Sequence, residues 1–319
     1  MNYEMIVLDL DGTLTNRNKE ITPRTKEALM EAQKRGKIVV LASGRPTAGV
    51  EPLARELELS RFGSYILSFN GGMITNCRTG EVVFSSVLPM ESNERIIGLA
   101  EEYRVDILTY QDSQILTNNR ECPYAKIESE INHLPLCQTD LRAAITGPVP
   151  KFIMLDDGDY LAMVEPRVKA ALGRDYSVYR SEPFFLEIMP KGIDKAKSLE
   201  RLLDSLGMGR EQMIACGDGY NDLTMIRYAG LGVAMENAVL PVKNAADYPC
   251  GGTIFAVRRC KYRNAEALAG GQGFYLLRAC SACFQAGPKN ALFRTMTLKV
   301  KSGFRLPLVR SRDMISSSE

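Results

Sequence analysis

The strongest constraint on the fold is a rhythm in the first seventy residues. Three apolar runs, MIVLDL (5–10), KIVVLAS (37–43) and YILSFN (65–70), alternate with helical patterns near 22–35 and 46–58. Runs that are apolar on both sides need cover on both faces, which a parallel sheet between layers of helices supplies. The first helix carries its own punctuation: Thr22 as a capping side chain, Pro23 in the first turn, and Gly36 after Lys34 and Arg35. The expected fold class is α/β.

Near Glu81 the texture changes. DILTYQDSQILT (106–117), KFIMLD (151–156) and PFFLEIMP (183–190) are shorter and more alternating, and helical patterns fall near 91–104 and 158–172. This predicts an α+β insert with a largely antiparallel sheet. The earlier rhythm then resumes with a helix near 194–206, QMIACGD (212–218), a helix near 221–229 and LGVAM (231–235). The expected layout is a core domain of residues 1–81 and 190–248, split by an inserted domain at 82–189. An insert hung on two short linkers is a natural lid.

A chain of 319 residues, 45% hydrophobic and 24% charged, is long enough for that layout. Its formal net charge of +2 points to neither nucleic acid nor membrane as a partner. No stretch approaches the roughly 18 apolar residues of a membrane span, and the N-terminus lacks a basic leader segment. The expected location is the cytoplasm, with the eight cysteines as free thiols, and the oligomeric state stays open. The charge is uneven along the chain: 28 basic residues against 35 acidic through 248, then 12 against 3 from 249 to 319. Residues 249–319 also lose the βα rhythm, hold four of the cysteines and end in SRDMISSSE. The expectation is an atypical basic tail arising from a shifted reading frame or a truncation event, not a third domain. Of Cys250, Cys260, Cys280 and Cys283, only the last two have metal-ligand spacing, which disfavours zinc.

The chemistry concentrates at strand ends. Asp9 and Asp11 close the first apolar run, and residues two apart on a strand face the same side. Ligands of open α/β sheets bind at the carboxyl ends of strands, where this pair lies. Gly12 would let the chain turn while the amides of Leu10 and Asp11 approach an anion. Alone, DLDG is more often a turn or a helix cap than a catalytic pair. A second cluster, CGDGYNDLTMI, repeats the pattern with Asp218, Asn221 and Asp222. Hard oxygen ligands suit Mg²⁺, and a single histidine, His133, argues against a histidine-based zinc site or a Ser-His-Asp triad. Between the clusters, Ser43-Gly44-Arg45 sits at another strand end and Lys195 opens a helix; Ser43 and Lys195 suit a phosphate.

In this order, DLDGTLT, SGR, Lys195 and GDGYND resemble motifs I to IV of the haloacid dehalogenase-like hydrolase superfamily. The NGG at 70–72 and GLGVAMENA at 230–238 are similar to its Cof-type sugar-phosphate phosphatase branch, and the insert resembles that branch's C2 cap. The resemblance covers about residues 1–247. It implies a Rossmann-like core, Asp9 as nucleophile and Asp11 as general acid/base. Asp9, the backbone carbonyl of Asp11 and Asp218 would hold Mg²⁺, with Asp222 in or just behind that set and Asn221 beside the phosphate. Ser43 and Lys195 would hold the phosphate, and Gly44, Arg45 and Asn70 would lie near substrate. The implied activity is Mg²⁺-dependent hydrolysis of small phosphorylated metabolites, sugar phosphates first, through an aspartyl-phosphate. Two other readings stay open: a phosphotransferase or mutase of the same superfamily, and a chain impaired by its altered tail, AADYPCGGTIFAVRRC. Ala196 follows Lys195 where many relatives have glycine, a favourable change in a helix.

Overall fold

The structure is a computed structural model that describes residues 3–249. Two sheets organise it. The larger has eight strands in the order Tyr248–Pro249, Leu231–Ala234, Met213–Gly217, Met5–Leu8, Ile38–Ala42, Tyr65–Ser68, Met73–Asn76 and Val82–Ser85. Its first six strands run parallel, and Met73–Asn76 runs against them, pairing antiparallel with Tyr65–Ser68 and with Val82–Ser85. Met5–Leu8, between Met213–Gly217 and Ile38–Ala42, is buried at every residue.

Helices cover this sheet for reasons that are local. In Pro23–Lys34 the Thr22 hydroxyl accepts from the Thr25 N–H at 3.2 Å, and Pro23 fills the first turn, where an amide would lack a partner. In Lys195–Ser205 the Asp194 carboxylate caps through the Lys197 N–H at 3.0 Å. Lys195, Ser198, Leu199, Leu202 and Leu203 form the buried stripe of that helix. The stripe's spacing places a lysine at its buried N-terminal end.

The smaller sheet runs Tyr176–Glu182, Phe185–Pro190, Phe152–Leu155, Asp106–Gln111, Gln114–Thr117 and Leu136–Gln138. It is antiparallel except at the last pair. Helices Glu91–Glu102 and Gly158–Leu172 contribute to an apolar cluster with Ile107, Phe152, Leu186 and Ile188 on one side of this sheet. On the other side Leu108, Tyr110, Ile153, Leu155 and Phe185 cluster with Phe69, which follows a strand of the large sheet.

Several expectations need correction. Val82–Ser85 is the edge strand of the large sheet, so the second sheet does not begin at residue 82. The first strand stops at Leu8, leaving Asp9 and Asp11 in the loop beyond it. Helix Pro123–Asn132 and strand Tyr176–Glu182 were absent from the periodicity reading. The expectations about the tail, except for Pro249, lie outside the described residues.

Candidate active site

The carboxyl ends of the central parallel strands converge on one lysine. Lys195 is fully buried, and its ammonium donates to Asp9 Oδ1 at 2.7 Å, Asp222 Oδ1 at 2.6 Å and the Ala42 carbonyl at 2.8 Å. Burial alone would pull its pKa down, but the two carboxylates outweigh that and hold it above its ordinary value. It is a charged centre locked between three strand ends.

Asp9 is 7% exposed and continues the strand's ladder through its N–H to the Cys216 carbonyl at 3.0 Å. With Oδ1 held by Lys195, Oδ2 is the oxygen left for chemistry. Burial pushes the Asp9 carboxyl up, Lys195 opposes, and Asp222 and Asp218 push it further, to about 7. One carboxylate oxygen from each of Asp9, Asp218 and Asp222 lies within 4.8 Å of the others. Three carboxylates against one ammonium leave an excess of negative charge that a divalent cation would relieve, and an all-oxygen donor set fits Mg²⁺.

The three acids are held differently. Asp218 accepts from the Thr13 hydroxyl and the Asn237 amide, both at 2.8 Å, and burial with Asp222 nearby raises its pKa. Asp222 is fully buried and turns Oδ2 back to the N–H groups of Asp218 and Gly219, both at 2.9 Å. It shapes the loop and anchors Lys195, so as a metal ligand it has less to offer than Asp9 and Asp218. Gly12 has φ +87°, and a Cβ there would stand 2.5 Å from Asp218 Oδ2. Only glycine lets the two acidic loops approach this closely.

Asp11 points elsewhere. Arg45 grips its carboxylate with two bonds, Nε to Oδ2 at 2.9 Å and Nη2 to Oδ1 at 2.6 Å, and Lys19 adds a third at 2.7 Å. Its burial would raise the pKa, yet these cations outweigh it and hold Asp11 below the usual carboxylate range. Asp9 and Asp11 were expected to face one ligand if the strand or its first loop residues held them together; here the ladder ends with Asp9, and Arg45 and Lys19 draw the Asp11 carboxylate aside. Arg45 is likewise committed to Asp11 and, through Nη1, to the Ile131 carbonyl at 3.2 Å.

A third group joins the remaining candidates. Ser43 is buried, its Oγ accepts from the Arg45 N–H at 3.1 Å, and its carbonyl accepts from the Asn70 N–H at 2.9 Å. Asn70 has φ +56° and follows Phe69 at +53°, two successive left-handed residues that a relaxed chain avoids. This turn aims the Asn70 amide between Asn221, whose Nδ2 donates to Oδ1 at 3.0 Å, and the Tyr179 hydroxyl, which Nδ2 reaches at 3.3 Å. Gly44 lies against the same amide, while the Leu10 side chain is buried and its carbonyl accepts from Thr15. Sequence reasoning missed Thr13, Asn237 and Tyr179; the first two sit in loops at parallel strand ends, a signal that could have found them.

A family model for the haloacid dehalogenase-like hydrolases matches residues 6–253. The chain belongs to that family and is an enzyme of it. A Bacillus subtilis (strain 168) protein that carries a provisional phosphatase name, YxeH, is 33% identical over 251 residues, spanning 77% of this chain and 92% of its own. A solved haloacid dehalogenase-like hydrolase from Bacteroides thetaiotaomicron is 48% identical with a TM-score of 0.76, over 78% of this chain and 94% of its own. The subclass IIB sugar phosphatase BT4131 is 26% identical with a TM-score of 0.64, over 77% and 93% respectively. No described helix is long and apolar enough to cross a membrane.

Proposed function

We propose that the chain is a Mg²⁺-dependent phosphatase of small phosphorylated metabolites, sugar phosphates above all, working through an aspartyl-phosphate. The observation that carries this reading is the buried Lys195 joined to Asp9 and Asp222, with Asp218 alongside. Asp9 Oδ2 attacks phosphorus, forming a new P–O bond as the ester oxygen departs. Asp11 gives the departing oxygen its proton, then takes one from the water that cleaves the aspartyl-phosphate. Because Arg45 and Lys19 keep Asp11 ionised at rest, proton donation requires that grip to loosen first. Lys195 and Ser43 stabilise charge on the transferring oxygens, and Asn221 holds the phosphate's edge. Asp9, Asp218 and the Asp11 carbonyl would hold Mg²⁺, with Asp222 behind them, and the bound cation would neutralise phosphoryl charge.

The small sheet with its helices acts as the cap, a lid over this site. The proposed setting is the reducing cytoplasm, where thiols such as Cys77, Cys122 and Cys137 stay free.

The test is turnover of p-nitrophenyl phosphate. Asp9→Asn is expected to cost on the order of 10⁴-fold or more in kcat with the circular dichroism spectrum unchanged. EDTA is expected to abolish turnover and Mg²⁺ to restore it. Retained activity in Asp9→Asn overturns the nucleophile. Release of inorganic phosphate, with no transfer to an added sugar, separates hydrolysis from phosphotransfer.

A further inference from the structure

The cap and the core touch at more than one place. Phe69 and, at the margin, Ala48 pack with Tyr110, Ile153 and Phe185 of the small sheet. Ala48 lies in the first turn of helix Thr47–Glu56, which begins directly after Ser43-Gly44-Arg45-Pro46. The cap helix Pro123–Asn132 packs against that core helix. The C-terminal end of the cap helix is already tied to the core, because the Ile131 carbonyl accepts from Arg45 Nη1 at 3.2 Å.

The buried polar side chains of the cap are not equally satisfied. In the row Tyr179–Glu187–Lys151 each has a partner. Asn132, only 2% exposed, is half satisfied. Its Nδ2 donates to the Glu128 carbonyl at 2.9 Å and to Glu128 Oε1 at 2.8 Å, while its Oδ1 has no partner among the described residues. The amide cannot be turned over, since the two oxygens that face Nδ2 only accept. Oδ1 is therefore the atom that faces Gly49, so closely that a Cβ there would stand 2.7 Å from it. A bare buried acceptor is costly, and the core helix holds the donors that would relieve it. The N-cap of that helix is Pro46, no side chain caps its first turn, and the Thr47 hydroxyl is engaged with Ser68 at 2.7 Å. An acceptor of the cap and the first-turn amides of the core face each other unjoined.

We propose that Asn132 is a clasp for the lid, a positioning residue that seats the cap on the core when substrate is bound: its Oδ1 moves onto an N–H of the Ala48–Gly49 turn and caps helix Thr47–Glu56. The proposal rests on the phosphatase reading and deepens it. Because the helix begins directly after Ser43 and Arg45, a cap seated on its first turn fixes the loop that carries both. Gly49 is the necessary counterpart, since a side chain there would hold Asn132 off. It lies within a helix, where alanine is otherwise favourable, so Gly49→Ala offends only the clasp.

The experiment measures amide hydrogen exchange of the full chain with Mg²⁺, with and without orthovanadate as a phosphoryl mimic, in the parent, Asn132→Ala and Gly49→Ala. Vanadate is expected to slow exchange across residues 46–50 about fivefold or more in the parent and by less than about twofold in either variant. On p-nitrophenyl phosphate, kcat/KM is expected to fall about tenfold in each variant, and the double variant to lose no more than either alone, because both changes act on one contact. Gly49→Ala leaves the cap's own side chains untouched, so it guards against a folding defect in Asn132→Ala. Protection of 46–50 that survives in both variants, or additive losses in the double variant, would overturn the clasp. Protection of the parent at 9–13 and 218–222 with none at 46–50 overturns the clasp alone. A parent that vanadate protects nowhere and that leaves p-nitrophenyl phosphate intact overturns the phosphatase reading beneath it as well.

Discussion

Two buried lysines, one in each sheet's unit, solve the same electrostatic problem differently. Lys195 sits in the first turn of a helix with Asp9 and Asp222 on its ammonium and Asp218 close by. Lys151 precedes a strand and has Glu187 as its ion-pair partner, with an aromatic ring beside it. The first group has carboxylates in excess and calls for a further cation; the second is balanced. The difference is one of charge balance, and on the function proposed above the core cluster is the one that would gather a divalent cation and a phosphoryl group.

The largest expected effect that tests this contrast is on stability. Lys195→Met removes the cation from two buried carboxylates at once, and should cost about 3–5 kcal/mol in urea denaturation with EDTA present. The chelator matters because a bound cation could stand in for the ammonium. Lys151→Met leaves a single carboxylate that still accepts from Tyr179, so a smaller loss of about 2 kcal/mol is expected. The double variant Lys151→Met, Glu187→Leu should recover most of that loss, since exchanging a whole buried pair for apolar side chains is near neutral. Equal penalties for the two lysines would dissolve the comparison.

The two networks also differed in how far sequence alone revealed them. Asp9, Lys195, Asp218 and Asp222 were legible because a parallel sheet gathers its strand ends, so acids after apolar runs meet whatever their separation along the chain. Lys195 was legible as a helix start, and its burial follows from the stripe Ser198, Leu199, Leu202 and Leu203. The pairing of Asp11 with Arg45 was not, because strand periodicity says nothing once the backbone leaves the ladder after Asp9. Tyr179, Glu187 and Lys151 were hidden for another reason. Alternation in KFIMLD and PFFLEIMP tells which residues share a face, but not which face of the cap meets the core. That depends on Phe69 and the turn that carries it.

The smallest expected effect is the most discriminating. Tyr179→Phe deletes one hydroxyl whose contacts are all long, to Asn70 and Glu187 at 3.3 Å and to the Met189 sulfur at 3.4 Å. A long hydrogen bond contributes little to the folded state, and Lys151 continues to pair with Glu187 when the phenol is gone. The expected stability change is therefore under about 1 kcal/mol, read from the same denaturation curves. Should the loss approach that of Lys151→Met, the hydroxyl is a structural strut and the row is a latch between the two sheets. If it stays small, the hydroxyl is no strut, and the Lys151–Glu187 pair alone accounts for what the row adds to stability.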